Sequence, residues 1–115
     1  MSGLGSLYYV VVDCEDPATL AEFWSRMLGT EVVQRIDDQF VLLAKPEHGP
    51  GLAFQKVPEP KHDKNRLHLD LEVGDTDAAT EKILGWGGSQ VTGDQELGGH
   101  TWRVMADPEG NQFCI

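Results

Sequence analysis

The sequence predicts an α+β fold: two tandem βαβββ modules whose curved, mainly antiparallel sheets enclose a cavity. Three observations carry that expectation. Strand-length apolar runs alternate with two capped, helix-length segments. The two halves superpose at one constant offset. A stretch rich in Pro, Lys and Asp, without periodicity, separates them. A chain of 115 residues suits one domain, so residues 1–115 are taken together. Module one covers about 6–57, the connector 58–66 and module two 67–115.

Tyr8 to Val12 is a nearly continuous β-branched and aromatic run, the pattern of a little-exposed strand. Asp16 supplies an N-cap oxygen and Pro17 suits the first helical position. Leu20, Phe23, Trp24, Met27 and Leu28 follow at amphipathic helical spacing, and Gly29 stands where a left-handed residue ends a helix. Glu31 to Ile36 and Gln39 to Ala44 read as a hairpin across Asp37-Asp38, and Leu52 to Val57 as a further strand. In the second half, Leu67, Leu69, Leu71 and Val73 alternate with His68, Asp70 and Glu72, the period of a strand with one apolar face. Asp75 caps a second helix whose weaker stripe is Ala79, Ile83 and Trp86, and Gly85, Gly87 and Gly88 end it. Ser89 to Thr92 and Thr101 to Ala106 are expected strands. Asp107-Pro108-Glu109-Gly110 has the residues of a tight turn, and Asn111 to Ile115 closes the sheet.

The offset is 59 residues, the separation of Tyr9 and His68. It carries Asp16 onto Asp75, Glu22 onto Glu81, Gly29 onto Gly88, Val32 onto Val91, Gly51 onto Gly110 and Phe54 onto Phe113. With one helix on one face of each sheet, the opposite faces are free to pair around a hollow, and a hollow is a ready ligand site.

Composition narrows the function classes. Nine Lys and Arg against 19 Asp and Glu give a net charge of −10, which repels a phosphate backbone and argues against nucleic acid as a partner. No run approaches the ~18 apolar residues of a membrane span, and the N-terminus lacks a basic region followed by an apolar one. A soluble, cytoplasmic protein is the expectation. Cys14 and Cys114 form neither a metal-binding CxxC nor a disulfide framework.

The first strand, Asp16-Pro17 with the helix ending Met27-Leu28-Gly29, Leu52-Ala53-Phe54-Gln55, Asn65 to Leu71 and Asp107 to Asn111 together span nearly the whole chain. In their order and spacing the sequence resembles the vicinal oxygen chelate superfamily, which includes glyoxalase I, bleomycin resistance proteins and extradiol dioxygenases. It is most similar to the small glyoxalase-like domains. The resemblance implies four cavity-facing positions that hold a metal in metal-using members, here Tyr9, Gln55, His68 and Cys114. Two pairs related by the offset result. One histidine and no carboxylate stand at those positions, whereas open divalent sites favour imidazole and carboxylate. No metal ligand is therefore assigned and no cofactor is expected; a divalent metal is kept as a minor alternative.

His68 reads either as a structural histidine or as a proton carrier that orients a ligand. Asp70, two residues along the strand, projects to the same face and would orient that imidazole, or merely line the wall. These two are the catalytic candidates. Tyr9, Gln55, His68, Trp102 and Cys114 are the ligand-binding candidates. Tyr9 and Gln55 could equally fill the volume of a lost metal, and Cys114 could be a small buried hydrophobe with nothing basic adjacent in sequence. Cys14 should point toward the helix. Trp102 follows Gly98 and Gly99, which suggest a flexible entrance where an indole could stack on a flat ligand or cover the interior. Asn65 and Arg66 sit at the mouth, where a guanidinium could meet an acidic ligand or simply be solvated. The functional expectation is a small-molecule binding protein without a catalytic metal, assembled as a homodimer. The alternative is a lyase, isomerase or dioxygenase using His68 with an atypical metal site or His68/Asp70 acid–base chemistry.

Overall fold

The computed structural model describes residues 3–115. The chain divides into two compact units, up to Pro60 and from Lys61 onward. The first contains β1 (Tyr9–Cys14), α1 (Pro17–Leu28), β2 (Val32–Ile36), β3 (Phe40–Leu43) and β4 (Gly51–Lys56). The second contains β5 (Leu69–Asp70), α2 (Thr76–Gly85), β6 (Ser89–Leu97), β7 (His100–Ala106) and β8 (Gln112–Cys114). Each unit is thus a βαβββ module of the α+β class. Each has a four-stranded mixed sheet, in the orders β1-β4-β3-β2 and β5-β8-β7-β6. One pair per sheet is parallel, β1 with β4 and β5 with β8, and the others are antiparallel. Among the described residues no helix is long and apolar enough to cross a membrane.

Helix α1 forms as its sequence requires. Asp16 accepts a hydrogen bond from the Thr19 amide at 3.2 Å and from the Thr19 hydroxyl at 2.6 Å, which satisfies an amide that the helix itself cannot pair. Pro17 occupies the first turn, and Gly29 closes the helix in the left-handed conformation at φ 62°. Leu20, Ala21, Phe23 and Trp24 are buried, and the two aromatic rings meet edge to face at 5.4 Å. The stripe ends sooner than expected, because Leu28 is 47% exposed at the last turn. On the sheet the same core takes in Cys14, Val41, Leu43, Leu52 and Phe54. Cys14 therefore points toward the helix as expected, its thiol 3.6 Å from the Gln55 carbonyl.

Module two departs from the sequence pattern in three places. The alternating run Leu67 to Val73 yields only a two-residue strand, β5. Asn65 compensates: its side chain accepts the Gln112 amide at 2.7 Å and donates to the Gln112 carbonyl at 3.1 Å, doing for β8 what a longer neighbour would. In α2 only Thr80 and Ile83 are buried, and Trp86 is half-buried. Polar anchoring makes up for that weak stripe. Arg103 of β7, its side chain 13% exposed, donates to the Thr80 hydroxyl at 2.8 Å, to Asp77 at 3.1 Å and to Asp94 at 2.9 Å. The third departure is β6, which runs on to Leu97, so that Gly98-Gly99 is a two-residue hairpin turn. Both glycines have positive φ (58° and 80°), as a primed turn requires.

The offset of 59 holds for the two caps, since Asp75 accepts the Ala78 amide as Asp16 does that of Thr19. It fails for the glycines. Gly29 maps onto Gly88, yet the left-handed residue after α2 is Gly87, at φ 99°. Gly88 serves another purpose: a β-carbon there would lie 2.6 Å from the Ile83 side chain and 2.8 Å from the Ala106 carbonyl. The offset also fails for the parallel pairs. Val12 lies opposite Phe54 in module one, whereas Leu69, not Leu71, lies opposite Phe113 in module two. This two-residue slide keeps every side chain on its face, because the period of a strand is two. It does change which residues stand side by side.

Two outcomes follow for stability. Asp16→Ala is expected to cost about 1 kcal/mol at neutral pH in a denaturant titration. Bonds from Thr19, its side chain first, hold the Asp16 carboxyl below its ordinary range. The contribution is therefore present above the unfolded-state pKa and is lost as pH falls through the lower folded-state value, so the variant and the parent should converge in acid. Gly88→Ala is expected to cost about 1–3 kcal/mol, since backbone as well as side chain must shift, and an unchanged melting temperature would refute the close approach.

Candidate functional site

Within module two the helix covers one face of the sheet. Leu69, Arg103, Met105 and Phe113 point to it, and the alternate residues project from the opposite, open face. That face carries a cavity of about 540 Å³. Its apolar wall is built mainly by Trp102 and Val104 of β7 with Ile115 beyond β8, and its polar groups include His68, Asp70, His100 and Cys114.

The polar cluster follows from the strand register. His68 and Asp70 stand two residues apart on one face, and the slide of β5 along β8 places Asp70 directly across from Cys114. His68 Nε2 lies 3.4 Å from Asp70 Oδ1, an ion pair only when the ring is protonated. Ligand atoms of His68, Asp70 and Cys114 all lie within 4.8 Å of one another. Desolvation raises the pKa of the Cys114 thiol, and Asp70 raises it further by its charge and by a hydrogen bond, while Lys64 pulls it down. The net upward shift disfavours a nucleophilic thiolate at Cys114. The wall so formed offers an imidazole, a carboxylate and a thiol to one point, beside an indole face.

Of the residues that the sequence nominates, His68, Asp70, Trp102 and Cys114 come together here. Tyr9 and Gln55 belong to module one. Tyr9 lies on Gly51, where a β-carbon would come within 2.5 Å of its ring, and donates its hydroxyl to the Leu43 carbonyl at 2.8 Å. Burial, with the neighbouring Tyr8, raises the pKa of that phenol. Gln55 is exposed at the end of β4, across from Asp13 and Phe40. Asn65 is taken up in holding β8, and Arg66 is exposed and no part of the cavity wall. Lys64 takes the place at the rim that the sequence suggested for Arg66. Sequence reasoning missed Lys64, His100 and Val104. Alternation from Trp102 would have found His100 and Val104; nothing local marks Lys64, because the connector has no period.

A second, smaller pocket of about 390 Å³ lies in module one between the end of α1 and the β3–β4 loop, lined by Leu28, Leu43, Pro46 and Pro50 among others. It contains no titratable group other than Lys45.

Comparison with known proteins agrees with this architecture. Residues 9–115 match the glyoxalase-like domain family. No curated protein matches the chain by sequence. Among solved structures, a glyoxalase-related enzyme from Fulvimarina pelagi is 18% identical with a TM-score of 0.73, over 97% of this chain and 87% of that one. A glyoxalase/bleomycin resistance protein/dioxygenase family enzyme from Burkholderia phytofirmans is 21% identical with a TM-score of 0.71, over 96% and 97%. TioX from Micromonospora sp. is 19% identical with a TM-score of 0.63, over 96% of each chain. At such identities the likeness is one of fold. With the family match covering nearly the whole sequence, this chain belongs to the glyoxalase-like domain family of the vicinal oxygen chelate superfamily.

Proposed function

We propose that the chain is a small-molecule binding protein that holds its ligand on the open face of module two by enclosure, without a catalytic metal. The observation that carries this reading is the cavity itself, of ligand size, with Trp102, Val104 and Ile115 as its apolar wall and a few polar groups on one side. Flat, partly apolar molecules with an oxygen function suit it: the indole provides a stacking face, and His68, Asp70 and Gln112 provide hydrogen bonds that fix orientation. Sequestration is the mode of action, in a cytoplasm whose reducing conditions accord with two free cysteines. The superfamily's habit of pairing chains supports a homodimer.

A second reading is favoured by one contact. With Asp70 at 3.4 Å, His68 has the arrangement of a general base and its orienting partner, so a lyase or isomerase acting by proton transfer fits the same wall.

Binding of a panel of carbonyl and catechol compounds to chelator-treated protein, measured by native mass spectrometry and calorimetry, tests both readings. Trp102→Ala is expected to weaken any ligand found by about tenfold, or about 1.4 kcal/mol. Unaltered affinity in that variant would move the site elsewhere. His68→Ala separates the readings: turnover lost with binding retained favours the enzyme, and binding without turnover in the parent protein favours sequestration. Light scattering is expected to give twice the chain mass at micromolar concentration; a monomer there rejects the dimer.

A further inference from the structure

We infer that the cavity of module two selects organic anions, a flat apolar body lying on the Trp102 indole with its carboxylate or enolate oxygen turned to the Lys64 ammonium. The inference rests on the ligand-holding reading and deepens it by naming the charge of the ligand. The chain is acidic, with 19 Asp and Glu against nine Lys and Arg, so an unselected stretch of its surface carries more carboxylate than cation. The cavity wall does not follow that balance. Lys64 and Asp70 are the only Lys, Arg, Asp or Glu among its lining residues, and two of the chain's four histidines, His68 and His100, join them.

The hydrogen-bonding capacity left open at this wall is mostly that of donors. Asp70 can only accept, and its carboxylate is already shared by two neighbours: His68 Nε2 lies 3.4 Å from Oδ1, and the Cys114 thiol donates to it. Lys64 differs. Among the described residues no carboxylate lies within ion-pair distance of its ammonium, whereas Arg26, Lys56 and Arg103 each have an acidic partner. Its charge is nonetheless felt inside the cavity, since it pulls the Cys114 thiol down against the upward shifts from burial and Asp70. The Lys64 ammonium and the Trp102 indole N–H can only donate, and His100, two residues before Trp102 on the same face of β7, adds an imidazole N–H. Occupancy sharpens the preference. A ligand seated against Trp102, Val104 and Ile115 strips water from the mouth, so a neutral ligand leaves the ammonium less hydrated and unpaired, a cationic one adds repulsion, and an anionic one supplies the missing counter-charge.

The test uses the full chain and three probes of one shape, naphthoate, naphthalenemethanol and naphthylmethylamine, each titrated by calorimetry at low ionic strength. The carboxylate is expected to bind about fivefold tighter than the alcohol, as suits a partly exposed charge pair, and the amine to bind weakest. Lys64→Gln should erase the advantage of the carboxylate while leaving the affinity of the alcohol as it was, and Lys64→Arg should keep it. Arg66→Gln and Lys45→Gln, which lie outside this wall, should leave the preference untouched, circular dichroism showing all four variants folded. The inference is overturned if the alcohol binds as tightly as the carboxylate, if the preference survives Lys64→Gln, or if it follows Arg66 or Lys45 instead; in each of those cases the ligand-holding reading still stands. Absence of binding by all three probes at millimolar concentration overturns both.

Discussion

Each sheet has a single helix to cover it, so within a module only one of its two faces can be buried. Period-two alternation then sorts every strand into residues given to the helix and residues left over. In module two the helix side takes Leu69, Met105 and Phe113, and the remainder is His68, Asp70, Trp102, Val104 and Cys114. The functional wall is the complement of the core. Its composition is chemically free because its residues contribute little to burial, and this fold uses that freedom to place four different functional groups on adjoining strands.

The two modules reach the same topology by different means. Module one relies on burial: Leu20, Phe23 and Trp24 against Leu43 and Phe54, with capping at both ends of α1. Module two has a helix of low apolar content and a first strand of two residues. There, hydrogen bonds replace area. Arg103 ties β7 to Thr80 and Asp77, Asn65 ties the connector to β8, and Asp107 arranges its turn by accepting the amides of Glu109 and Asn111 at 3.0 Å each. Such networks are directional and stabilise geometry more than they add net free energy. A short β5 is also what permits the slid register, since few ladder bonds oppose it.

The same asymmetry separates the candidate residues. Tyr9 and His68 correspond by offset, yet Tyr9 is committed, its ring on Gly51 and its hydroxyl on Leu43, while the His68 side chain is 48% exposed beside Asp70. Gln55 and Cys114 likewise correspond, but one stands across from Asp13 and the other across from Asp70 at the wall of a cavity. Duplication supplied equivalent positions, and the register decided which of them acquired chemical company.

Most of the fold was legible in the residues themselves: two caps, two glycine-ended helices, the hairpins and the closing strands follow from periodicity and from side chains that satisfy backbone groups within a few residues. The juxtaposition of His68 with Asp70 was legible for the same reason, being an i, i+2 relation in the segment that leads into β5. Its meeting with Cys114 was implied only by the family resemblance and not by the local pattern, because parallel pairing joins residues far apart in sequence, and a two-residue slide leaves the alternation that a sequence reveals unchanged. Nor could the local pattern show that Lys64 reaches the rim or that Gly88 yields to a carbonyl of β7. Local hydrogen bonding and periodicity determine the elements; register and close approach between distant segments determine the site.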